Sequence, residues 1–76
     1  MTYNAITIDK EILGGTPVFT GTRVPIQALF DYLEDSEPLE EFLENFPTVS
    51  RELAITVLET AGHLTTSEKT LNENFA

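Results

Sequence analysis

The stretch Ile12-Leu-Gly-Gly-Thr-Pro-Val-Phe-Thr-Gly-Thr-Arg-Val-Pro-Ile26 changes character along its length and marks where sheet gives way to helix. Pro17-Val18-Phe19 is a short run rich in β formers. Gly14-Gly15 before it and Gly21 after it are strong turn signals. Pro25 suits the first position of a helix, where its missing N–H costs nothing. The segment therefore reads as a turn, a strand over 17–19, a second turn, and the start of a helix.

Downstream, the apolar residues recur at helical spacing. Ile26, Leu29, Phe30 and Leu33 give one stripe and predict a helix over about 25–35. Asp35-Ser36 reads as a turn, with Ser36 as the cap of a second helix over 37–46, where Pro38 is tolerated in the first turn. Glu37, Glu40 and Glu41 complement the positive end of that helix. Leu39, Phe42, Leu43 and Phe46 form its apolar face, and Pro47 ends it. Ser50 then caps a third helix over 50–61, with Leu53, Ala54, Val57, Leu58 and Ala61 on one stripe and Gly62 as its C-terminal cap. Three short amphipathic helices with tight connections predict a trihelical bundle. The fold class is thus mostly α, with short N-terminal β-strands.

Upstream, Ala5-Ile6-Thr7-Ile8 alternates and predicts a strand over 5–8. It either pairs with 17–19 as a hairpin or joins the sheet of a partner chain, because two short strands alone are marginal in water. Residues 1–62 then make a single domain. Residues 63–76 are polar and read as a flexible C-terminal tail, in which Leu64, Leu71 and Phe75 are spaced so that one helical face of a partner-bound segment could hold them.

Seventy-six residues permit one modest core that buries only about 60% of the unfolded surface, a size that favours self-association. A homodimer is expected, with Ile6, Ile8, Val18 and Phe19 in its interface. Cysteine is absent and the single histidine has no companions, so no metal, cofactor or thiol site is expected. No apolar run approaches the roughly 20 residues of a membrane span. The first residues lack the basic-then-apolar order of a secretory leader, which makes the cytoplasm the expected location. Thirteen acids against four bases leave a net charge of −9. Such a field repels phosphate backbones and attracts basic partners.

Few residues invite a chemical reading. Gly15 to Arg23 resembles a phosphate-binding loop only loosely, since Thr22-Arg23 stands where Lys-Ser/Thr is required. Glu37, Glu41 and Glu44 share a helix face, but it lies opposite the apolar stripe and is expected to face water. His63 follows Gly62, where a donor near the last helix carbonyls is favourable. Nothing groups a nucleophile, a base and an orienting residue, so no enzyme activity is expected. Arg23, at the joint between strand and helix, has two roles open to it. It can clamp the joint through a forked bond, which is the expectation, or reach outward into a partner's acidic site.

The same Ile12–Ile26 stretch, with Leu29, Leu33, Phe42-Leu43, Phe46-Pro47 and Val49-Ser50, closely resembles domain-of-unknown-function family 433. The resemblance runs from about Ile6 to Ala61 and rests on the pair Gly-Thr-Pro-Val and Gly-Thr-Arg-Val-Pro. It implies short strands followed by a homeodomain-like core, with Ser36–Phe46 and Ser50–Ala61 as the two helices of a helix-turn-helix. It also implies an antitoxin that neutralises a ribonuclease toxin of the PilT-N-terminus (PIN) type. Relatives commonly carry glycine in the turn before the second helix, where this chain has Ser36.

A helix-turn-helix suggests DNA, and a DNA-binding autoregulator is the alternative function, with a self-associating module as a third. The residues of the third helix weigh against DNA. Its outward face carries Glu52, Ile55, Thr56, Glu59 and His63, and only Arg51, with Thr56 beside it, offers a candidate DNA contact. The isolated protein is therefore expected to bind duplex DNA weakly, no tighter than roughly 10⁻⁵ M. Ile55, exposed on that face, points instead to a protein contact. Arg23, Ile55, Leu64, Leu71 and Phe75 are the residues expected to meet a ribonuclease partner.

Overall fold

The structure, a computed structural model, describes residues 1–66 and the side chains of residues 1–62. The chain opens with β1 (Thr2–Tyr3) and β2 (Ile6–Thr7), passes a 3-10 turn at Leu13–Gly15, and continues into β3 (Val18–Phe19). Helices α1 (Ile26–Glu34), α2 (Leu39–Asn45) and α3 (Arg51–Thr66) follow. The fold is thus three helices behind a short antiparallel sheet ordered β1-β2-β3. Ile6 lies opposite Phe19 and Thr7 opposite Val18, so the two expected strands do pair within the chain, each shorter than expected.

β1 is an unexpected third strand. Tyr3 opposes Ile6 across a two-residue turn, with φ of 44° at Asn4 and 74° at Ala5. Positive φ at both central residues is the requirement of the type I′ hairpin, whose twist matches that of the strands. Asn is favoured at the first position, but Ala lacks the signature of the usual Gly at the second. On one face of this sheet the hydroxyls of Thr2 and Thr7 lie 3.1 Å apart, and those of Thr7 and Thr20 2.9 Å apart. The other face carries Ile6 and Phe19 toward the helices.

The core is built from Phe19 of the sheet, Leu29, Phe42, Ala54 and Val57 on the inner stripes of the helices, and Val49 of the α2–α3 connection. Phe42 is its hub. Its ring centroid lies 5.8 Å from Phe19, 5.4 Å from Tyr32 and 4.9 Å from Phe46, in the tilted and edge-on arrangements that aromatic quadrupoles favour. Tyr32 keeps its polar end wet, accepting a 2.8 Å hydrogen bond from Asn45 Nδ2 on α2. Val18 and Phe19 have no exposed surface, so they cannot form the dimer interface expected of them. The helices of their own chain cover Phe19, and the chain has no need of a partner there.

Helix boundaries follow local chemistry, with three corrections. Pro25 and Pro38 are the residues just outside α1 and α2, not inside them. Ser50 caps α3 as expected, accepting from the Leu53 N–H at 3.1 Å. Gly62 does not end α3, which continues to Thr66. A glycine near a helix end costs only about 1 kcal/mol there.

Ser36 is the third correction. It does not cap α2 but closes α1. Its N–H donates to Leu33 O at 3.0 Å and the Glu37 N–H donates to Tyr32 O at 2.9 Å, the paired bonds of a Schellman ending. That motif needs a left-handed residue, and Ser36 has φ of 63°. A glycine would meet the demand of this turn without strain. Ser36→Gly is expected to stabilise the domain by about 0.5–1 kcal/mol, the side-chain strain relieved less the extra freedom of the unfolded chain. Urea denaturation checks this, and an unchanged or lower midpoint refutes it.

Candidate functional site

The turn between β3 and α1 is densely hydrogen-bonded. Phe19 O accepts from the Thr22 N–H at 3.0 Å and from Thr22 Oγ1 at 2.8 Å. Thr22 Oγ1 in turn accepts from the Val24 N–H at 3.0 Å, and the Phe19 N–H donates to Val24 O at 3.0 Å. Gly21, at φ of 81°, occupies the position where a type II turn demands the left-handed region. The Ile26 N–H then donates to Pro17 O at 3.0 Å, tying the start of α1 back to the strand. Each residue of Gly21-Thr22-Arg23-Val24-Pro25 except Arg23 is thus accounted for by the backbone geometry it supports.

Arg23 is the exception. It stands between two hydrogen-bonded neighbours, is exposed, and makes no hydrogen bond or ion pair among the described residues. The expected clamp across the joint is therefore not formed. Thr22 holds the joint through its hydroxyl, which leaves the guanidinium directed to solvent on a rigid base. Arg51, by contrast, is engaged: its Nη2 lies 2.5 and 2.6 Å from the two Glu40 carboxylate oxygens. That pair links α3 to α2 on the surface, and it takes the one candidate DNA cation of α3 into a neutral pairing. Thr56 is half-buried, and its carbonyl accepts from Thr60 Oγ1 at 2.9 Å.

Charge is segregated along the chain. Residues 1–30 hold Asp9 and Glu11 against Lys10 and Arg23, a balance of zero, whereas residues 31–59 hold nine acids against Arg51 alone, a net −8. Part of this charge frames an open cleft of about 290 Å³ between α1 and α2, lined by Asp31, Tyr32, Asp35, Glu37, Glu41 and Asn45. Sequence periodicity grouped Glu37, Glu41 and Glu44 on one wet face. The aspartates opposite them were legible only once the Ser36 turn had set how α1 and α2 face each other. Among the described residues no three acidic or histidine side chains are disposed to hold a metal ion.

The remaining candidates are scattered. Ile55 is 39% exposed on the outer side of α3. Ile6 is half-buried against the core and Ile8 is exposed. Leu64 lies in α3 with its side chain outside the described residues, and Leu71 and Phe75 lie outside them altogether. Met1, Tyr3, Ile8 and Leu13 expose apolar surface, all within the first thirteen residues. Tyr3 went unremarked because its strand did. No described helix is long and apolar enough to cross a membrane.

A family model described as protein of unknown function, DUF433, matches residues 6–59. Among solved structures, the chain is similar to a DUF433 member protein from Anabaena variabilis ATCC 29413, with a TM-score of 0.66 and 26% sequence identity. The alignment covers 92% of this chain and 67% of that one. No curated protein matches.

Proposed function

The chain belongs to the DUF433 family of proteins of unknown function, and from its own surface we propose that it is an antitoxin-like protein, binding and masking a PIN-type ribonuclease encoded beside it. The observation that carries this reading is Arg23, exposed and without a partner among the described residues, on a turn whose neighbouring residues are committed to backbone geometry. The backbone beneath it is already fixed, so binding has only the side chain itself to order, at a cost of about 1.5–2 kcal/mol that a forked bond to a carboxylate can exceed. A ribonuclease that cleaves with metal-bound carboxylates has an acidic centre, and it needs cations around that centre to hold RNA. This chain offers the inverse: a guanidinium unpaired among the described residues, from the neutral first thirty residues, and a strongly acidic helical region for the cationic surround. The protein acts by occlusion and performs no chemistry of its own. The DNA-binding alternative would have to use Arg51, which shares an exposed ion pair with Glu40, from within a helical region of net −8.

The test is co-expression of the ribonuclease from the adjacent reading frame with the full chain, read out as growth and co-purification. Arg23→Ala is expected to weaken the complex by about 30- to 1000-fold, an anchor loss of roughly 2–4 kcal/mol, with the melting temperature unchanged. Arg23→Lys recovers little, because an ammonium cannot make the forked bond to a carboxylate. Failure of the unaltered protein to bind or to restore growth overturns the reading. Full affinity in Arg23→Ala removes Arg23 from it.

A further inference from the structure

The free edge of β1 is a seam for a second copy of this chain. Met1 and Ile8 exchange both of their backbone bonds, at 2.7 Å from the Ile8 N–H to Met1 O and 2.9 Å from the Met1 ammonium to Ile8 O. Bonded and non-bonded pairs alternate along an antiparallel ladder, so Thr2, opposite Thr7, is a non-bonded pair. The N–H and C=O of Thr2 therefore point away from β2. Nothing in the described residues meets them, since β1 is the outer strand of the sheet.

We propose that two copies pair through this edge about a two-fold axis, Thr2 opposite Thr2 of the other copy, giving one continuous six-stranded antiparallel sheet. The register is self-complementary on both faces. On one, the Thr20, Thr7 and Thr2 hydroxyls of each copy meet at the axis and run on into those of the other. On the other, the antiparallel register sets Met1 against Tyr3 twice. These are the two most exposed large apolar side chains among the described residues, at 82% and 64%, and sulfur against an aromatic ring is a favourable contact. A like copy is the occupant because of charge. Two chains of −9 repel, and residues 31–59 carry nearly all of that charge, whereas the first thirty residues are neutral overall and carry the exposed apolar side chains. The seam uses Thr2 and Tyr3 in place of the buried Val18 and Phe19.

Sedimentation equilibrium of the full chain from about 1 to 200 µM is expected to show a reversible monomer–dimer equilibrium that strengthens with added salt, as repulsion is screened. Thr2→Pro removes the outward N–H. Proline is tolerated at a strand edge whose N–H faces solvent, so the variant is expected to be monomeric, with the parent's melting temperature at dilutions where the parent is itself monomeric. Because the chain has no cysteine, Thr2→Cys supplies a single thiol. At a bonded antiparallel pair the Cα atoms sit about 5.5 Å apart, within disulfide reach, so mild oxidation should cross-link it at least tenfold faster than Glu59→Cys. A monomer at 200 µM overturns the proposal. So does a dimer that survives Thr2→Pro or cross-links no faster at Thr2 than at Glu59.

Discussion

Truncating Phe42 to alanine is expected to cost about 3–5 kcal/mol, the upper range for a buried ring. A domain of this size has roughly 4–11 kcal/mol in all. Phe42 has no exposed surface and touches three other rings, one from the sheet, one from α1 and one, Phe46, from the residue that follows α2. Its loss therefore opens a cavity where the sheet, α1 and α2 meet, and a core relaxes only partially into such a space. Circular dichroism should show the thermal midpoint falling by about 15 °C or more, or no cooperative transition at all. Leu33, 38% exposed on α1, is the comparison. Leu33→Ala should cost under about 1 kcal/mol. A Phe42→Ala variant within about 1 kcal/mol of the parent means the ring cluster does not hold the core.

A second pair of substitutions separates burial from exposure within one sheet. Val18 has no exposed surface, while Ile8, the residue after β2, is 37% exposed. An aspartate at Val18 must either leave a carboxylate without a partner in the interior or take up a proton. Both alternatives cost several kcal/mol, comparable with the stability of the whole domain. Val18→Asp is expected to be unfolded at neutral pH, with proton-spectrum dispersion lost. Ile8→Asp should fold with a midpoint within a few degrees of the parent. If both variants fold, Val18 is not the interior residue described here.

The helices were legible because their apolar residues recur at a spacing that only one backbone geometry brings to a single face. Leu29, Phe42, Ala54 and Val57 are buried as that spacing requires. What stayed hidden has a common cause: residues in the left-handed region without the glycine that usually marks it. Ala5 concealed the hairpin that adds β1, and Ser36 passed for a helix cap when it is a helix ending. The interface assigned to Val18 and Phe19 failed for a different reason. Strand composition says that a residue is buried, not which chain buries it. Arg23 was singled out in the sequence, but its freedom emerged only from the bonds that Thr22 makes in its stead.

The strand pairing has a kinetic consequence. Tyr3 meets Ile6 and Ile6 meets Phe19, so no ladder contact spans more than thirteen residues of chain, and the helices are local by construction. Closing such short loops takes little entropy, and although the core also joins Phe19 to Phe42, helical domains rich in local contacts fold in about microseconds to milliseconds. A small domain with modest stability and rapid closure opens and recloses many times in a cellular lifetime. Under those conditions a protease samples the equilibrium fraction open rather than the rate of opening. The survival of each molecule is then governed by free energy alone, and a bound partner lengthens it by a factor of one plus the ratio of free partner concentration to Kd.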